Sequence, residues 1–169
     1  MNDPGFTFTI SDSDKVSIAL LYLLRSDDLL MQWSGGYIQR TGSSMPILEM
    51  PPPQILVVPL NENELFQPSG KVRLTMPQGI LLFWEETRRV LEDDEPTIVS
   101  VVSHIKSLLL NNYYLNGPPF NERLTRRLDQ FQVVDYAAEL LGGGGLLRYI
   151  VLGVDYEVDV AARTRKVAC

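Results

Sequence analysis

The chain has 169 residues, of which 45% are hydrophobic and 21% charged. That length and balance fit one globular domain with a single substantial core and exclude a disordered chain. A formal net charge of −6 argues against a protein whose main task is gripping nucleic-acid phosphates.

One cysteine, Cys169, and one histidine, His104, leave no internal disulfide and no Cys/His set for zinc, which fits a reducing compartment. The opening "MNDPGFTFTISDSDK" carries acids where a secretory signal would be basic, so no export signal is expected. The longest apolar run, Val16 to Leu24, falls short of the ~20 residues that cross a bilayer. These features predict a soluble protein made in the cytoplasm and folded as one domain over residues 1–169, with 1–10 and 161–169 as flexible tails.

In chain order, "SDSDKVSIALLYLLRSDDLLMQW" reads as a first helix. Ser11 and Asp14 have the spacing of an N-cap and its reciprocal acid. Val16, Leu20, Leu23 and Leu24 recur at helical spacing and are expected in the core. Ser26, Asp27 and Asp28 either break this helix or start a second turn. "SGGYIQRTGSSMP" is turn-rich, with room for a short strand at Tyr37 to Thr41. Pro51 to Pro53 form a rigid lead-in to a short buried strand, Ile55 to Val58, ended by Pro59.

"KVRLTM" alternates Val72 and Leu74 against Lys71 and Arg73, the pattern of a strand with one wet face. "PQG" is expected to turn the chain into another strand, "ILLFWEE". Pro96 to Asn112 is the strongest helical segment, with Ile98, Val101, Val102, Ile105, Leu108 and Leu109 as its apolar stripe. Glu92 to Glu95 sit at its positive end.

The last region returns to period two, "LDQFQVVDYAAEL" pairing with "LRYIVLGVDYEVDV". In the second of these, Val154, Tyr156, Val158 and Val160 take one face, and Asp155, Glu157 and Asp159 the other. "ARTRKVAC" is a short basic tail.

No stretch advertises catalysis. Gly142 to Gly145 lack the Lys-Ser/Thr and the following helix that a phosphate loop needs, and read instead as a hinge between two strands. His104 flanks the second helix without a nucleophile or second histidine nearby in sequence. The acids Glu92 to Glu95 complement a helix dipole more simply than they bind a metal. Arg123, Arg126 and Arg127, close to Phe131, point to a subunit or partner interface, because arginines and aromatics are favoured anchors there, with a plain solvated surface and a phosphate contact as the alternatives. No catalytic, cofactor-binding or metal-binding residue is assigned, and no cofactor is expected.

The elements together predict an α+β fold: a mainly antiparallel sheet, two amphipathic helices packed on one face, and a long closing β-hairpin. This layout resembles the tail terminator, or tail-completion, proteins of long-tailed bacteriophages. The resemblance rests on "DKVSIALLYLL", the proline-led "PPPQILVVPL", "KVRLTM" with "ILLFWEE", the helix "PTIVSVVSHIKSLLL" and the closing "YIVLGVDYEVDV", spanning about Asp14 to Val160.

The resemblance implies a structural virion protein of the phage tail or neck and no enzyme. Its partners would be itself in a homohexameric ring, the tail tube protein, and a head-completion or neck protein. Duplex DNA would pass through the ring without sequence-specific binding, and Asp155, Glu157 and Asp159, otherwise an ordinary solvated strand face, would in such a ring form an acidic row facing that passage. The added "NNYYLNGPPFNERLTRRLDQ" and the glycine run depart from the pattern and leave open other neck or tail-joining proteins. The rival readings are a small enzyme using acids such as Glu85, Glu86 or Asp135 in a cleft, and a monomeric adaptor.

Overall fold

A computed structural model describes the backbone of residues 10–42, 49–60, 63–66, 72–86, 90–112, 115, 125–126, 132–140 and 146–159. The fold is α+β, with a mixed sheet and three helices: α1 (Asp12–Arg25), α2 (Asp28–Trp33) and α3 (Ile98–Asn111). The strands are β1 (Ile38–Arg40), β2 (Gln54–Pro59), β3 (Asn63–Phe66), β4 (Val72–Glu86), β5 (Thr125–Arg126), β6 (Gln132–Leu140) and β7 (Leu146–Asp159).

Helix α1 starts where the sequence says. The Ser11 hydroxyl accepts from Asp14 N at 3.1 Å, satisfying one orphan donor of the first turn. Asp14's carboxylate accepts from the Ser11 hydroxyl and pairs with Arg40 of β1.

The helix stops at Ser26, and Asp27 opens α2 by accepting from Leu30 N at 3.0 Å. Three helices therefore replace the expected two, because a second capping side chain follows the first helix at once. Helix α2 ends in a Schellman motif: Gly36 N donates to Met31 O and Gly35 N to Gln32 O. Both glycines have positive φ, 61° and 86°, which a side chain would strain.

The main path of the sheet is β1-β2-β4-β7, continuing to β5, with β3 on β4 and β6 on β7. Strands β1 and β2 run parallel, while β4 pairs antiparallel with β2, β3 and β7. Strand β4 runs straight through "PQG", so the expected turn is absent.

The reason lies in which side of β4 Pro77 faces. Its carbonyl accepts from Leu60 N at 3.1 Å, and in a strand the N and O of one residue point the same way. Pro77's missing N–H therefore faces the gap where β4 changes neighbour, β2 pairing with Gln78 to Phe83 and β3 with Val72 to Thr75. The proline costs the ladder little there.

Two apolar clusters flank the sheet. The larger joins Val16, Leu20 and Leu24 of α1, Leu30 of α2 and Ile105 and Leu109 of α3 to Leu74, Met76, Ile80 and Leu82 of β4 and to Leu152, Val154 and Tyr156 of β7. The smaller holds Leu56, Val58, Leu81 and Phe83, with Leu147, Tyr149 and Val151 against it. Strand β2 and the middle of β4 are thus buried on both faces, which is why "ILVV" and "ILLF" are continuous apolar runs. That stretch lies beyond "KVRLTM", the segment for which one wet face is expected and in which Leu74 and Met76 are buried on either side of half-buried Thr75. Of the residues that suggested it, Leu74 is buried, and the side chains of Lys71, Val72 and Arg73 lie outside the described set.

Candidate functional site

At one end of the long strands a cleft of about 340 Å³ opens. Its walls come from five places: Trp33 at the end of α2, Pro52 and Pro53 before β2, Trp84 and Glu85 near the end of β4, Leu91 and Glu95 to Thr97 before α3, and Ile98 and Val101 on α3.

Local chemistry sets each wall. The two prolines stiffen the lead-in, and the Gln54 side chain donates to Met50 O at 2.6 Å, holding that lead-in against the strand. Glu95 N donates to Glu92 O, and the Glu95 carboxylate accepts in return from Glu92 N at 3.3 Å, closing the acidic segment into a turn. The N-cap of α3, Thr97, makes no side-chain capping bond, and the helix begins at Ile98, two residues beyond the expected Pro96.

Leu91 of the lining is 49% exposed, and its sequence neighbour Val90 is 93% exposed. Trp84 already meets one cation of this chain, the Arg148 guanidinium on β7, 5.7 Å from the ring centroid. The described lining offers two tryptophans, two carboxylate residues and a threonine hydroxyl, and among the described residues no His, Cys, Ser or Lys. Such a lining suits apolar or cationic groups.

A second polar contact joins helices far apart in sequence. His104 Nε2 lies 2.9 Å from Asp27 Oδ2, so the histidine of α3 meets the N-cap of α2. Burial alone would push Asp27's carboxyl up. It is outweighed by the Leu30 backbone N–H, the hydrogen bond and charge of His104, and the Leu29 backbone N–H, which together hold it below the usual carboxylate range. The lone histidine thus ties two helices together, a role its position in the sequence did not suggest.

Around α1 the polar groups bond back to the fold itself. Arg40 Nε donates to Ser17 Oγ at 2.6 Å while its guanidinium pairs with Asp14. Buried Gln78 donates to the Ser13 carbonyl and hydroxyl. Arg25 Nε donates to Ile38 O at 2.8 Å on edge strand β1.

Arg126 lies in β5, whose register pairs it with Tyr156 of β7. Arg123, Arg127 and Phe131 lie outside the described residues, as do Gly142 to Gly145. The element after those glycines is the strand β7, where a phosphate loop would need a helix.

Asp155, Glu157 and Asp159 stand opposite Pro77, Thr75 and Arg73 of β4, and only their backbone is described. Of the acids weighed for an enzyme, Glu85 lines the cleft and Glu86 pairs with Leu146. Asp135 pairs with Ile150 on the far side of β7, two strands and three rungs from Glu85, about 14 Å along the backbone.

Among the described residues no three His, Cys, Asp or Glu groups gather as metal ligands, and no helix is long and apolar enough to cross a membrane.

Compared with known protein families and curated proteins, the chain matches no family model and no curated relative.

Proposed function

We propose that this chain is a structural virion subunit that caps a phage tail tube as a homohexameric ring and joins the tail to the head or neck. The observation that carries the reading is the order of elements around one sheet. A capped helix comes first, then a proline-led buried strand and a long strand; a second long helix follows, and finally a fourteen-residue strand in register with all but the first residue of β4. The same reading takes the sheet as mainly antiparallel and closed by a β6–β7 hairpin.

In this account the protein is no enzyme and needs no cofactor, and its neighbours are the tail tube protein and a head-completion or neck protein. Arg123, Arg126, Arg127 and Phe131 contribute a subunit or neighbour contact. Asp155, Glu157 and Asp159 form a spaced acidic row along the DNA passage, where a like-charged wall lets an anionic duplex slide rather than stick.

Changing the three arginines to Ala is expected to leave the monomer folded and to weaken assembly, scored as rings by electron microscopy with tail tube protein present. Rings in undiminished number would remove the arginines from the interface. The unaltered protein is expected to show no appreciable affinity for duplex DNA at physiological salt. Changing the three acids to Lys should create salt-sensitive binding in the assembled form, and tight binding by the unaltered protein would contradict the placement of the row.

A further inference from the structure

We infer that the tryptophan-lined cleft at the start of β7 takes the basic segment Arg163 to Lys166 of a second copy of this chain, making a head-to-tail contact. The inference deepens the ring reading and rests on it for its biological setting.

Three observations carry it. The first is the chemistry of the cleft. Trp33 and Trp84 line it, Glu85 and Glu95 stand at the walls, and the sequence from Glu85 to Glu95 holds six acids against two arginines. Aromatic faces beside carboxylates favour guanidinium and ammonium groups over neutral or anionic ones. Arg148 already lies over the Trp84 ring, so this ring accepts a cation in the folded protein.

The second is the complementary segment. In this acidic chain the sequence "ARTRK" places Arg163, Arg165 and Lys166 within four positions and with no acid among them. Half-exposed Leu91 in the lining suits the aliphatic stems of such side chains.

The third observation is distance. The cleft sits beside Trp84, which pairs with Arg148, whereas β7 ends at Asp159 opposite Arg73. Eleven strand residues separate Arg148 from Asp159, about 36 Å. From Asp159 to Lys166 only seven residues are available, and fully extended they reach about 25 Å. A chain therefore cannot fill its own cleft with this segment, and another copy must. A donor segment at one end and an acceptor cleft at the other make a heterologous contact, which repeats into a ring when the rotation closes.

The test uses both tryptophans of the chain, since both line the cleft and report on its occupancy. A synthetic peptide of residues 160–169 is titrated into the full chain, diluted until it is monomeric, while tryptophan emission is followed. The expected result is a saturable change that weakens about tenfold when salt rises from about 0.05 M to about 0.3 M. The change should be lost in a Glu85→Lys, Glu95→Lys variant. No change in emission, or a change that persists in that variant, overturns the inference whether or not rings form.

In the assembling protein, reversing Arg163, Arg165 and Lys166 to Glu should separate the copies. Combining that reversal with Glu85→Lys and Glu95→Lys should restore assembly. A tail-reversed protein that still assembles overturns this contact while leaving the ring reading intact.

Discussion

The N-termini of the two long helices are built differently. At α1 every group near the helix start is tied to the fold: Ser11 caps, Asp14 pairs with Arg40, and Arg40 also bonds Ser17. Gln78 reaches from the sheet to Ser13. At α3 the cap residue makes no side-chain capping bond, and the helix start forms a wall of an open cleft that half-exposed Leu91 also lines. One end spends its polar groups on holding the fold together, and the other leaves surface available to a partner. The contrast teaches where substitutions should be felt as instability and where as lost association.

The largest expected effect tests the first half of that contrast. Leu20 is fully buried under α1, so Leu20→Ala should destabilise by about 2–5 kcal/mol in urea unfolding. Val99, 65% exposed at the start of α3, should cost under about 0.5 kcal/mol when changed to Ala. Equal costs would abolish the distinction between the two ends.

Caps give the next effect. Ser11→Ala and Asp27→Ala each remove a bond to a first-turn N–H and should cost about 1 kcal/mol, whereas Thr97→Ala should cost only a few tenths. A Thr97→Ala penalty as large as that at Ser11 would mean that the start of α3 is held more tightly than its open cleft implies.

Acid sharpens the comparison further, because the Asp27–His104 contact is the one polar tie from α3 back to the capped helices in the described set. Asp27's carboxyl is held below its ordinary value, so its contribution to stability is complete above about pH 4 and is lost as pH falls through the lower, folded value. Asp27→Asn should flatten the fall in thermal midpoint over that acid range and leave the slope above it unchanged. An unaltered acid limb would show that the tie does not contribute to folding.

The smallest expected effect is none. Mg-ATP should leave the thermal midpoint where it is, because the glycines lead into a strand. A rise of several degrees would mean that a ligand binds the native state.

Much of this layout was legible in the sequence where the interactions are local. The Ser11 cap, the stripe of α3 from Ile98 to Leu109 and the buried strand behind Pro51 to Pro53 all follow from spacing and backbone chemistry. Pro77 misled because a proline's effect depends on which neighbour its missing N–H faces, and that is fixed by residues near Leu60. The short helix α2 does not follow from the sequence, because Asp27 can end one helix or cap the next, and the choice depends on tertiary contacts.

The cleft was not legible at all. Trp33 and Trp84 are fifty-one positions apart in sequence, and only the sheet brings the end of β4 beside the end of α2. His104 and Asp27, seventy-seven apart, meet for the same reason.

The most direct test of the structural-subunit account is the mass in solution, by light scattering, of the purified chain alone and mixed with tail tube protein. The account predicts a particle containing a multiple of the 19.1 kDa chain, six copies for the ring, in at least one of the two samples. A single 19.1 kDa species in both, at concentrations well above those in an infected cell, would contradict it.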